Sequence, residues 1–232
     1  MPTQRVQFDE WLPDQPDNSG GLNDALNVIP VSIGYQPFPN AVDFSGAAAE
    51  TINSVFVAKW GTEVIIFAGG ATKLFKFNNT TEALEDKSKS GGYSSTFSWK
   101  FVQFGKTVIA VNGNVIIQYW TIGTSTAWAD IATSPIARQV AVVRDFVVTG
   151  YVNTGTLGNS TVQWSDINDE TDWTAGATSQ ADNQVIPDGG NIQAVTGGEF
   201  GLILLEKSIS RMSYVGSPLF FQFDNISRGL GL

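Results

Sequence analysis

One pattern recurs along the chain and limits its fold more than any other: a short strand, a tight turn and a second, strongly apolar strand. The stretch from Phe56 to Gly69 aligns on Val102 to Gly113 when Gly61 is set on Gly105, 44 residues later. A weaker third copy, Val140 to Gly150, puts Asp145 at the turn 40 residues further on, and a fourth runs from Ala194 to Leu205. After each pair comes another candidate hairpin, containing Lys73 to Phe77, Val115 to Trp120, Val162 to Trp164 or Ser210 to Tyr214. Four short strands in roughly 40 to 50 residues is the period of a β-propeller blade.

The second strand of each copy is apolar on both faces. A sandwich strand alternates, whereas an inner propeller strand is covered by the blades on either side and reads as a continuous apolar run. No window after Glu50 holds a 3.6-residue apolar period, so long helices are not expected. The expected fold is all-β and β-propeller-like, with about four blade units of short antiparallel strands in residues 46–232. Its turn and blade anchors are Trp60, Gly61, Gly105, Trp164, Asp166, Asp172 and Trp173. Four units stand at the low end of the four to eight that usually close a ring. Either the chain is part of a larger propeller or another chain completes its open edge.

Residues 1–45 differ in texture. Six of the nine prolines fall here, at 2, 13, 16, 30, 37 and 39. Proline fixes φ and removes a donor, so this segment is expected to be an extended arm with turns and no regular sheet. Asn23 to Asn27 offers one helical turn at most. The aromatics Phe8, Trp11, Tyr35, Phe38 and Phe44 require a surface to pack on, either the chain's own domain or a neighbouring subunit. Phe8, Trp11, Pro13, Tyr35 and Phe38 are the candidate subunit-interface residues.

Composition then removes whole classes of function. Of 232 residues none is cysteine and none is histidine, which excludes disulfides, thiolate zinc sites, cysteine nucleophiles, Ser-His-Asp triads and imidazole-bound metals. Twenty-two acidic against 13 basic residues leave a net charge of −9, unsuited to gripping nucleic acid through phosphates. The apolar runs Val64 to Ala68 and Leu202 to Leu205 are far shorter than a membrane span of about 20 residues, and the N-terminus carries no apolar signal region. Synthesis in a cytoplasm is the expectation.

The densest polar cluster runs from Gln163 to Thr174. Asp166, Asn168 and Glu170 fall at alternate positions, as in a calcium loop. Thr171 then stands where such a loop needs glycine, and Ala177 where it needs a carboxylate. Asx turns anchored by Trp164 and Trp173 are the structural alternative. Carboxylate pairs for glycoside hydrolysis cannot be recognised in sequence, and five arginines are few for a sialidase-type site. Gly189-Gly190 and Gly197-Gly198 lack the lysine and helix signal of a phosphate loop. Without a signal peptide the acceptor patterns at Asn78-Asn79, Asn159 and Asn225 carry no meaning. No catalytic residue, cofactor, metal or small-molecule substrate is assigned.

Phe8 to Pro16, Ala25 to Pro30 and Gly34 to Pro39 resemble the opening of tail proteins of tailed bacteriophages, in particular the propeller-containing nozzle or packaged-DNA-stabilisation proteins of short-tailed phages. Val162 to Ser165, Asp172 to Thr174, Glu206 to Gly216 and Phe223 to Gly229 extend the resemblance. It implies a structural virion protein in a ring of identical subunits, usually six, contacting neighbouring tail proteins around the channel through which double-stranded DNA leaves. An acidic wall lets a duplex slide without tight binding. Such proteins are usually much longer, and this chain stops at Gly229 to Leu232 in what reads as mid-pattern, leaving a fragment and a shortened member both open. The alternative function is a carbohydrate- or host-receptor-binding propeller. That reading requires rings such as Tyr93, Trp128 or Trp173 exposed on a concave face.

Overall fold

Runs of Val, Ile, Phe and Thr punctuated by Gly and Asn fold as strands joined by turns. The computed structural model describes residues 10–12, 14, 16, 24, 26–31, 34–39, 42–43, 45–94, 96–155, 157–229 and 231, and among them there is no helix. The fold is all-β: five small antiparallel sheets in two compact units, Met1–Phe44 and Ser45–Leu232.

In the first unit β1 (Val28–Val31) pairs antiparallel with β2 (Gly34–Pro37), and the Phe38 amide bonds the Asn27 carbonyl at 2.8 Å. The arm expected to lack regular sheet therefore carries a small hairpin, with Pro30 and Pro37 inside its strands. A two-stranded ribbon is all edge, so the missing proline donors cost it no ladder bond that a third strand would need. The candidates Phe8 and Pro13 lie outside the described residues.

The second unit holds four meanders in chain order. The first comprises β3 (Ser54–Trp60), β4 (Glu63–Gly69), β5 (Leu74–Asn78) and β6 (Ala83–Asp86). The second comprises β7 (Lys100–Phe104), β8 (Thr107–Val111), β9 (Gln118–Thr121) and β10 (Ala129–Asp130). The third comprises β11 (Ala137–Val143), β12 (Phe146–Val152), β13 (Thr161–Trp164) and β14 (Asp182–Val185). The fourth comprises β15 (Ile192–Thr196), β16 (Gly201–Leu205), β17 (Ser208–Gly216) and β18 (Phe220–Arg228).

Each repeat copy is the opening hairpin of one sheet. Trp60 pairs with Glu63 and Phe104 with Thr107, leaving two-residue loops that begin at Gly61 (φ +59°) and Gly105 (φ +57°). Glycine at the first position supplies the positive φ that a tight hairpin needs. In the third sheet Val143 pairs with Phe146, so the equivalent position is Arg144, at φ +51°, and not Asp145 as the alignment suggests. The register is off by one because a non-glycine residue holds the left-handed conformation. Arg144 gains compensation across to the fourth sheet: its amide bonds Gly198 O at 2.8 Å, and its guanidinium lies 5.2 Å from the Tyr214 ring centroid.

Packing follows chain order. Phe67 of β4 meets Trp120 and Trp128 edge-on at 5.4 and 5.0 Å, joining the first sheet to the second. Ile109 and Val111 of β8 meet Val147 of β12 and Trp173. Val148, Val162 and Trp164 then meet Ile203, Leu205, Met212 and Phe221 of the fourth sheet.

Candidate functional site

The chemistry-bearing cluster from Gln163 to Thr174 folds onto its own backbone. One Asp166 carboxylate oxygen accepts the amides of Ile167 and Gln180 at 2.8 and 2.7 Å. An Asp169 oxygen accepts the Thr171 amide and hydroxyl, and an Asp172 oxygen the Thr174 amide. Trp164 and Trp173, both buried, donate their indole N–H groups to Gln180 O and Glu170 O. These are Asx turns pinned by two indoles. Among the described residues no three carboxylates gather as a metal site.

A second polar group joins the first two sheets. Lys73 pairs with Asp86 at 2.7 Å, and Lys89 with Asp130 at 2.6 Å. Gln118 donates to Asp130 at 2.5 Å and accepts from the Tyr93 hydroxyl at 3.2 Å. Burial alone would raise the Asp130 pKa, but the bonds from Lys89 and Gln118 outweigh it and hold the carboxyl below its ordinary range. A carboxyl with a folded pKa below the unfolded value of about 3.9 adds stability that is present above that pH and lost as pH falls through it. The melting temperature is therefore expected to fall as the pH drops below about 4, and to fall less in Asp130→Asn. Equal slopes in a thermal-melt series would contradict this.

The surface offers shallow clefts of about 400 to 510 Å³; the one beside Trp120 is lined by Glu63, Lys76, Asn78 and Glu85. Burial differs more tellingly between the middle and end sheets. In β8 and β12 the continuous apolar run is covered on both faces. In β4 the same kind of run leaves Val64 50% exposed, whereas Val108, its counterpart in β8, is at 0%. Val55 and Val57 beside it on β3 are exposed too. At the other end Leu202, Leu204 and Ile209 are only half-buried.

No family model matches the chain, and no curated protein does. Two solved structures are similar: a chain of a S. cerevisiae assembly of Dbp5 with Nup159 and Gle1 (8% identity, TM-score 0.47), and a chain of the BBS1N–ARL6DN complex (10% identity, TM-score 0.46). They are matched over 84% and 81% of this chain but 50% and 59% of their own length, so the chain spans about half of each. Likeness at that level assigns no role.

The sequence candidates scatter over the structure. Trp11 and Phe38 are exposed, and the Trp11 amide donates to the Tyr35 hydroxyl at 2.9 Å. Trp60 stands half exposed at the end of β3, beside Gly61. Tyr93, Trp128 and Trp173, the rings a sugar-binding face would need, are all buried. The sequence reading missed the cross-sheet bonds of Gln103, whose amide takes the Lys59 N–H at 3.0 Å and donates to Lys59 O at 2.8 Å. A glutamine two residues before one turn, that at Gly105, is too weak a signal to find them.

Proposed function

We propose that the chain is a structural subunit of a phage tail nozzle, its four meanders serving as consecutive blades of a propeller-like arc within a ring of identical chains around the DNA exit channel. The observation that carries this reading is the apolar, half-covered face at each end of the stack, residues of the kind that inner blades bury. The sequence resemblance supplies the tail context. Exposed Trp11 and Phe38 on the arm offer further rings to a neighbouring subunit or tail protein.

The charge distribution supports passage of DNA without grip. Lys73, Lys87, Lys89, Arg144 and Arg211 each sit on a carboxylate, so these cations form no continuous basic stripe. With a net charge of −9, little counterion release is available to hold phosphates. Titration of labelled duplex at about 50 mM salt, where phosphate-driven association is strongest, is expected to show no binding in the micromolar range. Sub-micromolar binding that weakens steeply with salt overturns the conduit. A glycan array that lights up on a defined sugar favours the receptor-binding alternative.

A further inference from the structure

A corner between the two middle sheets gathers positive charge with no carboxylate to answer it. Segments 96–100, 112–116, 136–139 and 150–155 meet there. The Gly113 amide bonds Ala137 O at 2.9 Å, Thr96 donates to the Asn114 side chain, and the Ile136 amide bonds Thr154 Oγ1 at 2.7 Å. In a chain with 22 acidic residues these four segments hold none, and they carry Lys100 and Arg138. Lys100 opens β7, the strand that packs along β11. The Arg138 side chain is half-buried between two rings, 4.1 Å from the Phe97 centroid and 5.3 Å from that of Tyr151. Ring faces fix the plane of a guanidinium and leave its N–H edge to an acceptor. Among the described residues neither Arg138 nor Lys100 pairs with a carboxylate, and nothing accepts a hydrogen bond from the guanidinium. Arg138 stands opposite Tyr151, between the pairs Ala137–Val152 and Gln139–Gly150, and Tyr151 holds φ at +58°. A left-handed backbone is rare for a bulky residue, and strain of this kind gathers at ligand clamps.

We propose that this corner binds a phosphate group, gripped by the Arg138 fork, with the Tyr151 hydroxyl as a further donor and Lys100 as the second positive charge. A half-buried cation without a counter-charge is a standing cost that a bound oxyanion removes. A carboxylate would answer only one of the two cations. A phosphate monoester carries about −1.5 to −2 charges at neutral pH and offers three strong acceptor oxygens, which suits a planar fork beside a second cation. Two sources can present the group: free phosphate or its monoesters, and the backbone of a duplex. The charge match favours the first, since a backbone phosphate carries a single charge. One such contact per chain is far too weak to hold DNA at micromolar concentration, so the site is compatible with a sliding duplex. It goes beyond the tail reading and does not rest on it.

Inorganic phosphate titrated into the isotope-labelled full chain, at constant ionic strength, is expected to shift the NMR signals of the Arg138 Nε–H and of the Gly113 and Tyr151 amides. The shift should saturate with a dissociation constant of about 1–10 mM. Arg138→Gln should weaken binding, read at the two amides, at least about tenfold, the loss of a charge-assisted pair. If that variant fails to fold, as judged by circular dichroism, Lys100→Gln at an exposed position takes its place, with an expected loss of about threefold. Acetate at the same concentration should leave these signals where they are. A short duplex at about 1 mM tests the second source. Shifts at the same amides that fade with added salt show that a backbone phosphate reaches the site, and without them free phosphate is the ligand. No saturable shift, an equal response to acetate, or unchanged affinity in the folded variant each overturns the proposal. None of these results touches the tail reading, which is tested by the micromolar duplex titration.

Discussion

Trp164→Ala is expected to lower the free energy of unfolding by about 3–5 kcal/mol, the usual cost of emptying a buried aromatic site. Trp164 is 2% exposed, meets Phe221 edge-on at 5.1 Å and donates its indole N–H to Gln180 O at 2.8 Å. The substitution leaves a void between the third and fourth sheets and an orphaned carbonyl beside it. Urea unfolding followed by fluorescence measures the loss. The same experiment with calcium or chelator added is expected to show no shift in the wild type, because one oxygen each of Asp166, Asp169 and Asp172 is already engaged by backbone amides. A midpoint that rises with calcium would restore the metal-loop reading by linkage.

Gly197→Ala is expected to cost about 3 kcal/mol, at the upper end for overpacking, and to lower the melting temperature by roughly 6–12 °C. A β-carbon there would run into the carbonyl oxygen of Val142, with the carbonyl carbon and the nitrogen of the same residue behind it. Backbone cannot step aside as a flexible side chain would. Val143 also bridges Gly198 in parallel fashion, and the Gly198 amide bonds Val142 O at 2.9 Å, so the substitution strikes the seam between two sheets. Gly158→Ala, at a position open within 4 Å, is the control and should change stability by less than about 1 kcal/mol. Equal melting temperatures for the two variants would show that the seam yields.

The opening hairpins were legible because Gly61 and Gly105 announce their turns and the strand after each is strongly apolar. The third turn was read one residue late. Arg144 carries a positive φ that nothing in its side-chain chemistry announces, and its compensating partners Gly198, Glu199 and Tyr214 lie in the next sheet. Burial of Tyr93, Trp128 and Trp173 was equally hidden, since it depends on contacts between segments far apart in sequence. The Asx turns around Asp166, Asp169 and Asp172 are local and could be read. The asymmetry between middle and end sheets could not, because β4, β8, β12 and β16 look alike as text and differ only in how many neighbours they find.

Strictly sequential sheets bear on how the protein is made. Every pairing among the described strands joins neighbours in the chain, a topology that shortens the loops to be closed and favours folding piece by piece as residues leave the ribosome. Each meander, once formed, presents the apolar side that the next will cover, so a nascent chain carries a sticky front that moves toward its C-terminus during translation. A pause in synthesis after any sheet holds that front open to aggregation or to chaperones. Synonymous codon choice between Asp130 and Ala137, or between Val185 and Ile192, thereby becomes a lever on yield with no change in the finished molecule.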